Sequence, residues 1–427
     1  MGREDLERLS KPELIELVLK LQRPAKTSRT SSKPPSTDRK ERREQARPGG
    51  AKPGHAGHKR ELSPDPDAVI DHRPTGCPDC GLALSADLSA EVVSVHEEID
   101  IPPVKPRVEQ HRRLSVCCPG CGTRAVAERP AGANATPFGP RLHALALYLK
   151  TFQAVSYERL QGAMADLFGL TISQGGLMNM LRRAEAQFAG GRDTALAALH
   201  RAKVVACDET GIRIEGTNSF HWVFRCAEAV VHHVAPTRGA AVVRDIMGGH
   251  RPDVWLSDRY AAQQGHGQAH QTCLAHLARD VAYALDGRDA ALALGLKLWL
   301  GSAFTLAGTV TTLAASTVAS KRRALERRLD DLLARATTCD LTRAVQDKIR
   351  RARDQLLTFT LFPGQVEPTN NACERDLRPA VIQRKVTNGY RATWSAEGEA
   401  AVRTVVSTKR INHGPGTFAT LLQTVSA

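Results

Sequence analysis

The middle of the chain alternates between apolar and polar residues in the way that β-strands do. Residues 204–210 begin with four small apolar residues and end in Asp208, Glu209 and Thr210, which predicts a buried strand that carries carboxylates to a sheet edge. Further strand-like runs predict that a meander of antiparallel strands follows, at residues 211–215, 220–226 and 230–234. An isolated Asp-Glu pair after a strand is more often a solvated turn, so this run does not define a site by itself.

A second apolar run that ends in an acid follows further along the chain. Residues 238–247 have a helical pattern, and residues 253–258 form a short apolar run that ends at Asp258. Two strands that each end in Asp, with a hairpin pair and a helix between them, predict a ribonuclease-H-like α/β core. The third acid of such a core usually comes from a later helix.

Glu374 is the candidate for this third acid. Thr369 or Asn370 can serve as the N-cap of a helix that contains Glu374. On this helix Asn371, Glu374 and Arg378 lie at positions i, i+3 and i+7, so they share one face. An amide, a carboxylate and a guanidinium on one face suit metal and phosphate better than they suit a hydrophobic core.

Together these blocks resemble the transposases of the insertion sequence 66 family. The resemblance extends over about residues 6–422, and the block around Glu374 is its most specific part. The blocks that carry it are residues 208–210, 257–276, 370–379 and 383–391. The resemblance implies a DDE-type transposase of an insertion sequence. It also includes a Cys-x-x-His element, Cys273 and His276, for which we expect a structural or substrate-positioning role because two ligands alone do not make a zinc site.

The resemblance also implies roles for the three acids. Two Mg²⁺ ions about 3.5–4 Å apart can clamp the attacking and leaving oxygens of a phosphodiester exchange. Asp208 is expected to bridge both ions, Asp258 to hold one and Glu374 the other, with Asp376 as the alternative to Glu374. Water cuts the transposon end, and the 3′-hydroxyl that it frees attacks target DNA. One phosphodiester replaces another, so ATP is not required, and the sequence has no Gly-x-x-x-x-Gly-Lys-Ser/Thr loop.

Basic residues that follow the third acid are candidates for DNA contact. Arg378 and Lys385 are the strongest candidates for gripping a phosphate, and Arg384 and Arg391 lie in the same block. The chain as a whole carries a net charge of +14 over 427 residues. Such an excess favours a polyanionic partner such as DNA.

Two Cys-x-x-Cys-Gly motifs predict a zinc-ribbon-like module over residues 67–130. Their four cysteines, Cys77, Cys80, Cys118 and Cys121, are spaced so that each pair of thiolates can reach one tetrahedral Zn²⁺. A redox dithiol is the alternative, but no βαβ pattern surrounds either pair. We expect a structural zinc ion whose binding is coupled to folding of the module.

Residues 131–200 are predicted to be helical. A helix capped by Ser156, a Gly-containing turn and a helix opened by Ser173 follow the outline of a helix-turn-helix. If the second helix enters the major groove, Arg182 and Arg183 lie near DNA. A helical hairpin without DNA contact gives the same pattern, so both interpretations stay open.

The other segments complete an α+β multidomain organisation. Residues 1–24 predict a short helix with a leucine stripe, which serves either as a dimer contact or for packing against the body. Residues 25–66 predict a basic flexible linker that either tracks a phosphate backbone or is merely solvated. The ribonuclease-H-like core is expected in two parts, at residues 201–280 and 363–427. Residues 281–362 predict a helical insertion, which either contacts DNA or forms a second helical layer.

Two other functional classes are compatible with these motifs. A structure-selective nuclease on the same fold would keep the acids but would not join strands, and a DNA-binding regulator would use only the zinc module and the helix-turn-helix. The sequence has no stretch of about 18 uninterrupted apolar residues and no N-terminal signal core, so we expect an intracellular protein. The resemblance implies a cytoplasmic, nucleoid-associated protein of a bacterium. The resemblance further implies homo-oligomers in the active complex and accessory proteins of the same element.

Overall fold

A computed structural model of the chain describes residues 10–21, 26–27, 30, 54–57, 60–128, 136–287 and 290–427. The protein is of mixed α/β type, with one five-stranded mixed sheet, a separate two-stranded hairpin and many helices. The strands are β1 Ser115–Cys117, β2 Arg124–Val126, β3 Val204–Ile214, β4 Thr217–Arg225, β5 Val230–Ala235, β6 Val254–Ser257 and β7 Ala269–Thr272. The helices are α1 Lys11–Leu21, α2 Pro140–Leu147, α3 Tyr157–Phe168, α4 Gln174–Ala186, α5 Ala189–Leu199, α6 Ala240–Met247, α7 Leu274–Leu285, α8 Ala291–Thr309, α9 Ala315–Ala334, α10 Asp340–Arg351, α11 Asn371–Thr387, α12 Thr393–Ile411 and α13 Thr417–Ser426.

The five-stranded sheet has the order β5-β4-β3-β6-β7. The pairs β3–β4 and β4–β5 are antiparallel, and the pairs β3–β6 and β6–β7 are parallel. Helix α6 connects the antiparallel meander to β6, as the sequence predicts. The central strand is therefore the first of the sheet in sequence, and it carries Asp208.

The prediction that Asp208 lies at the end of a strand is wrong. The two runs at 204–210 and 211–215 form one continuous strand, because β3 pairs with β4 without interruption from Ala206 to Ile214. On its other side β3 pairs with β6 only from Val204 to Ala206. Asp208 thus lies in the middle of β3, at the point where the parallel pairing has ended.

Helices cover both faces of the sheet. On one face Val205, Cys207 and Trp255 form a core with residues of α5 and α6. On the other face Ala206 and Leu256 form a smaller core with α11. Because successive side chains of a strand point to opposite faces, Asp208 is on the face that α11 covers.

Both ends of α11 are attached to β3. The Asn370 side-chain amide, just before the helix, donates to the carbonyl oxygen of Cys207 at 2.8 Å. After the helix, the Tyr390 N–H donates to the Arg213 carbonyl at 2.8 Å. Gly389 makes this return possible, because its φ is +104° and a Cβ there would lie 2.2 Å from the Arg213 carbonyl oxygen.

The helices before the sheet share a core with the two C-terminal helices. Buried residues of α2, α3 and α4 pack against α12 and α13. The Ser156 hydroxyl accepts from the Arg159 N–H at the start of α3, and the Ser173 hydroxyl accepts from the Gly176 N–H at the start of α4. Between the two helices Gly169 has a φ of +62°. The helix-turn-helix outline predicted from the sequence is present as a local structure.

The segment between α7 and α11 is helical, as predicted. Helices α8, α9 and α10 pack on α7 around Leu296, Trp299 and Leu329. By length and composition alone α8 could span a membrane, with a mean hydropathy of 1.4, although its Trp299 and Leu300 are buried inside this helical core. Core helices of soluble proteins pass the same test of length and composition.

Helix α1 begins at Lys11, where the Ser10 backbone N–H donates to the Glu13 carboxylate at 2.7 Å. The first two leucines of the predicted stripe, Leu6 and Leu9, lie outside the described residues, as does much of the predicted linker at 25–66.

Candidate active site and metal centres

The structure brings the three predicted acids to one region of the sheet. Asp208 lies in the middle of β3, Asp258 directly follows β6, and Glu374 is in the first turn of α11, which covers β3 and β4. Burial raises the pKa of Asp208 to about 8, and the negative charges of Glu209, Glu374 and Asp258 contribute to the rise. A buried carboxylate surrounded by other acids is a natural site for a divalent cation, which removes the repulsion among their charges.

The donor set fits hard cations such as Mg²⁺. All three acids offer carboxylate oxygens, which Mg²⁺ prefers. The Glu374 Oε1 atom is buried and has no hydrogen-bond partner among the residues that the structure describes. That atom is therefore available to a ligand.

The loop that carries Asp258 is held in place by residues around Glu209. The Asp258 carboxylate accepts from the Tyr260 N–H at 2.7 Å. Glu209 forms an ion pair with Arg238 and accepts a hydrogen bond from the Gln263 side chain. The Arg238 guanidinium in turn stacks on the Tyr260 ring at 3.8 Å. Glu209 thus reaches the Asp258 loop both through Gln263 and through Arg238.

Glu374 faces two basic residues of α7. Its carboxylate lies 3.7 Å from His276 Nε2 and 3.8 Å from the Arg279 guanidinium. Ligand atoms of Cys273, His276 and Glu374 all lie within 4.8 Å of one another. This cluster overlaps the predicted magnesium site at Glu374, but its sulfur and nitrogen atoms are softer ligands than Mg²⁺ prefers.

The Cys273 thiol has a structural environment of its own. Its sulfur accepts a hydrogen bond from the Asn370 N–H at 3.1 Å, and Leu274 N–H donates to the Pro368 carbonyl at 2.9 Å. These bonds join the start of α7 to the start of α11. Asn370 occupies the predicted N-cap position, but its side chain reaches Cys207 instead of capping α11.

Asp376, the alternative third acid, forms ion pairs with arginines and is not directed at the other two acids. It is buried and forms ion pairs with Arg225 and with Arg410, the latter at 2.6 Å. Two arginines compensate its charge on the side of α11 that faces the sheet. The geometry therefore favours Glu374 over Asp376.

The two Cys-x-x-Cys motifs form matched hairpins. The Cys77 N–H donates to the Leu82 carbonyl and the Gly81 N–H to the Cys77 carbonyl, both at 2.9 Å. The Cys118 N–H and the Gly122 N–H make the equivalent bonds, both at 2.8 Å. Glycines with φ near +70° close both turns. Hydrogen bonds from the backbone of Cys80 lower the pKa of Cys77, and hydrogen bonds of Thr123 lower the pKa of Cys121, which favours the thiolate form that binds zinc.

The module around these hairpins has no hydrophobic core of its own. None of the residues 60–128 is buried, and Val93 is 95% exposed. Within residues 60–128, no three of the cysteines form a cluster of the kind seen at Cys273. Each hairpin prearranges two ligands, and a shared zinc ion would have to draw the hairpins together.

The basic residues predicted to contact DNA are in different environments. Arg378, Lys385 and Arg391 are exposed. Arg384 instead donates to the Thr210 hydroxyl at 3.0 Å and to the Gly211 carbonyl, so it fastens α11 to β3.

The two arginines of α4 are also at the surface. Arg182 and Arg183 are exposed, and the Arg182 guanidinium lies over the Trp394 ring at 5.3 Å. Both are free of the helical core that α4 shares with α12, so their charges face solvent.

Sequence reasoning missed the contacts of Glu209, Arg238, Arg279 and Asn370. Their partners are far away in sequence, so no local pattern marks them. Glu209 was visible only as the second acid of a pair, and Arg279 only as a charge on a predicted helix.

Comparison with known families gives two matches. A family described as Transposase IS66 family matches residues 135–398, which is more than half of the chain. A second family, described as the zinc-finger binding domain of transposase IS66, matches residues 74–122. No curated protein matches the chain.

Proposed function

The chain belongs to the IS66 family of transposases, and from this premise we propose that it is a DDE-type enzyme that cuts the ends of its insertion sequence and joins them to target DNA. The observation that carries the proposal is the convergence of Asp208, Asp258 and Glu374 from a central strand, a strand end and a covering helix. The matched zinc-finger family supports zinc binding by the same chain.

The topology supports a ribonuclease-H-like core for this chemistry. An antiparallel meander of three strands is followed by a helix and by two strands that join the other side of β3 in parallel. The order of meander, helix and following strand agrees with the sequence pattern, although Asp208 lies within β3 and not at its end. The acids come from β3, from the end of β6 and from the late helix α11, as such a core requires.

In this proposal Asp208, Asp258 and Glu374 hold Mg²⁺, which supplies charge stabilisation for phosphodiester exchange when bound. Asn370 and Arg384 fix α11 against β3 and so set the position of Glu374. Glu209 holds the loop of Asp258 through Gln263. His276 and Arg279 line the approach to Glu374, where Arg279 offers a guanidinium to a phosphate.

The proposed zinc ligands are Cys77, Cys80, Cys118 and Cys121, two from each matched hairpin. DNA contact is proposed for the exposed basic residues of α4 and of α11 with its following loop: Arg182, Arg183, Arg378, Lys385 and Arg391. Arg384 is proposed to act indirectly, since its guanidinium already binds β3.

A cleavage and strand-transfer assay tests the function. Its substrate is a duplex that carries the short inverted repeats expected to flank the coding sequence of an insertion sequence. Asp208→Asn, Asp258→Asn and Glu374→Gln should each lower the rate of Mg²⁺-dependent cleavage by at least about 100-fold while DNA binding survives, because each removes a charged metal ligand. The matched control is Glu367→Gln, which changes an exposed acid just before α11.

The outcomes separate the alternatives. Cleavage without joining of the freed 3′-ends would indicate a nuclease on the same fold. If all three acid variants behave like the wild type, the enzyme assignment is wrong, and a DNA-binding regulator remains. A single variant that still cleaves normally would remove that residue from the site.

A further inference from the structure

We propose that a cavity between the Asp258 loop, α7 and α10 binds the phosphodiester backbone of DNA beside the cleavage site, so that the helical insertion forms part of the active site. This inference rests on the proposed function. The cavity has a volume of about 690 Å³. That is ample room for a nucleotide, since small-molecule pockets are commonly about 300–1,000 Å³.

The cavity adjoins the acids directly. Asp258 and His276 are part of its lining, and His276 lies next to Glu374. A DNA strand that lies in the cavity can therefore extend directly to the phosphate that reacts at the acids.

The lining carries more positive than negative charge. Besides His276, the lining contains six lysines and arginines and two acids: Lys26, Arg238, Arg259, Arg279, Lys348 and Arg351 against Asp258 and Asp280. Asp280 pairs with both Arg259 and Lys348, the latter at 3.0 Å. One carboxylate shared by two cations leaves positive charge uncompensated, and it holds both cations in place towards the cavity.

Arg351 contributes a charge that nothing nearby compensates. It is exposed at the end of α10, and its side chain has no hydrogen bond or ion pair with any residue that the structure describes. An unpaired guanidinium at the mouth of a basic cavity is suited to a phosphate, which it can grip with two N–H groups.

The insertion is tied to the loop that carries Asp258. The Gln355 side chain donates to the Gln264 side chain at 3.1 Å and accepts from the Thr272 hydroxyl at 2.8 Å. Gln264 in turn donates to the Asp258 carbonyl at 3.3 Å. These bonds hold the turn that follows α10 against the loop of Asp258, and so keep the C-terminal end of α10 close to the acid.

The test is DNA binding without added Mg²⁺, so that no cleavage occurs. Fluorescence anisotropy is measured over a series of salt concentrations with two labelled duplexes, one containing the flanking inverted repeat and one of unrelated sequence. Lys348→Ala and Arg351→Ala should each weaken binding several-fold, and the double variant roughly tenfold. Each should reduce the steepness of the salt dependence by about one unit per lost phosphate contact.

Two further variants make the result decisive. Arg343→Ala removes an equal charge from the exposed side of α10, where Arg343 pairs with Asp340 at 2.9 Å outside the cavity, and it should bind like the wild type. Arg351→Glu reverses a charge that takes part in no internal contact, so it tests the cavity even if Lys348→Ala affects folding.

Comparison of the two duplexes shows which DNA occupies the cavity. Weaker binding of the inverted-repeat duplex alone places the transposon end in the cavity, and weaker binding of both places DNA backbone there regardless of sequence. Normal affinity and salt dependence in Arg351→Glu and in the double variant would overturn the proposal. Binding is measured separately from cleavage, so a failure here leaves the acid assignments standing, and inactive acids do not affect this result.

Discussion

Glu209 illustrates how a residue next to a catalytic candidate can act through another part of the chain. It follows Asp208 on β3, so its side chain points to the opposite face of the sheet. There it is buried and binds Arg238 and Gln263. Because Gln263 and Tyr260 belong to the loop after Asp258, Glu209 sets the position of the second acid without touching the reacting atoms.

Glu209→Gln should therefore impair the site by displacing the Asp258 loop. The change keeps the shape of the side chain but removes the ion pair with Arg238, whose side chain is 40% exposed and can be hydrated instead. We expect cleavage to fall about tenfold and to recover partly at higher Mg²⁺ concentration, since the affinity for the ion is what a misplaced carboxylate loses.

Measuring the rate against Mg²⁺ concentration checks this expectation, with Glu228→Gln as the control in an exposed turn of the same sheet. A purely structural role would lower the thermal stability and leave the Mg²⁺ dependence unchanged. That outcome would refute the positioning role.

At the level of single residues, the sequence identifies chemistry better than contacts. Local strand and helix patterns single out Asp208, Asp258 and Glu374 as candidate ligands, and their metal-binding role stays a prediction. The prediction of Asn370 as an N-cap gave the right position and the wrong contact, since its amide binds the Cys207 carbonyl. A distant partner decides that contact, and no local pattern contains it.

At the scale of elements, local sequence signals predicted the helix starts correctly, but they could not predict which strands pair with each other. Helices α3 and α4 start after Ser156 and Ser173 as predicted, because a cap depends only on residues within the first turn. The two runs within β3 could not be recognised as one strand, because pairing with β4 is what carries the backbone through Gly211. The matched Cys hairpins follow directly from the spacing of their motifs.

The two hairpins lead to a prediction about zinc. If all four cysteines bind one ion, Cys77→Ser and Cys118→Ser should each abolish binding of one zinc per chain, because a structural site needs all four ligands. The matched control is Cys117→Ser, which changes the thiol next to Cys118 and should keep the zinc. Zinc content is measured by elemental analysis of the purified full chain.

Proteolysis gives a second measurement on the same variants. Because residues 60–128 bury no side chain, loss of zinc should expose this module to cleavage while the sheet and its helices stay protected. Zinc retained in either ligand variant would contradict a shared four-cysteine site.

At the scale of the whole molecule, the helices before the sheet and those at the C-terminus are joined by buried charges. Lys150 pairs with Glu399 at 3.2 Å, and Glu399 lies 3.6 Å from Arg403. Glu185 of α4 packs directly against Gly398 of α12 in the same interior. The sequence predicted helices in both regions, but nothing local indicated that residues so far apart share one core.

Glu185 makes the stability of this core depend on pH. Burial raises the pKa of Glu185 to about 9, repulsion by Glu399 adds to the rise, and Lys150 opposes it. Between its ordinary value of 4.5 and about 9, the folded chain holds a proton that the unfolded chain has lost. The free energy of unfolding therefore falls as the pH rises through this window, by up to about 1.4 kcal/mol per pH unit.

Glu185→Gln should remove that dependence. Relative to the wild type, the variant gains stability as the pH rises from 5.5 to 8.5, and urea unfolding at several pH values measures the difference. Glu158→Gln, an exposed acid on α3, serves as the control and should follow the wild type. Parallel stability curves for Glu185→Gln and the wild type would show that Glu185 does not hold the proton.

The hydrogen bonds of Cys273 with Asn370 and of Leu274 with Pro368 join the two ends of the long helical segment that separates Asp258 from Glu374 in sequence. The segment between them, which contains α7 to α10, therefore begins and ends at the same place beside the sheet. Length changes confined to α8 and α9, which contribute no residue to the cavity beside the acids, leave the separation of Asp258 and Glu374 in space unchanged. We therefore expect the number of residues between these two acids to differ among related transposases. A sequence search that requires a fixed spacing between them would miss some family members.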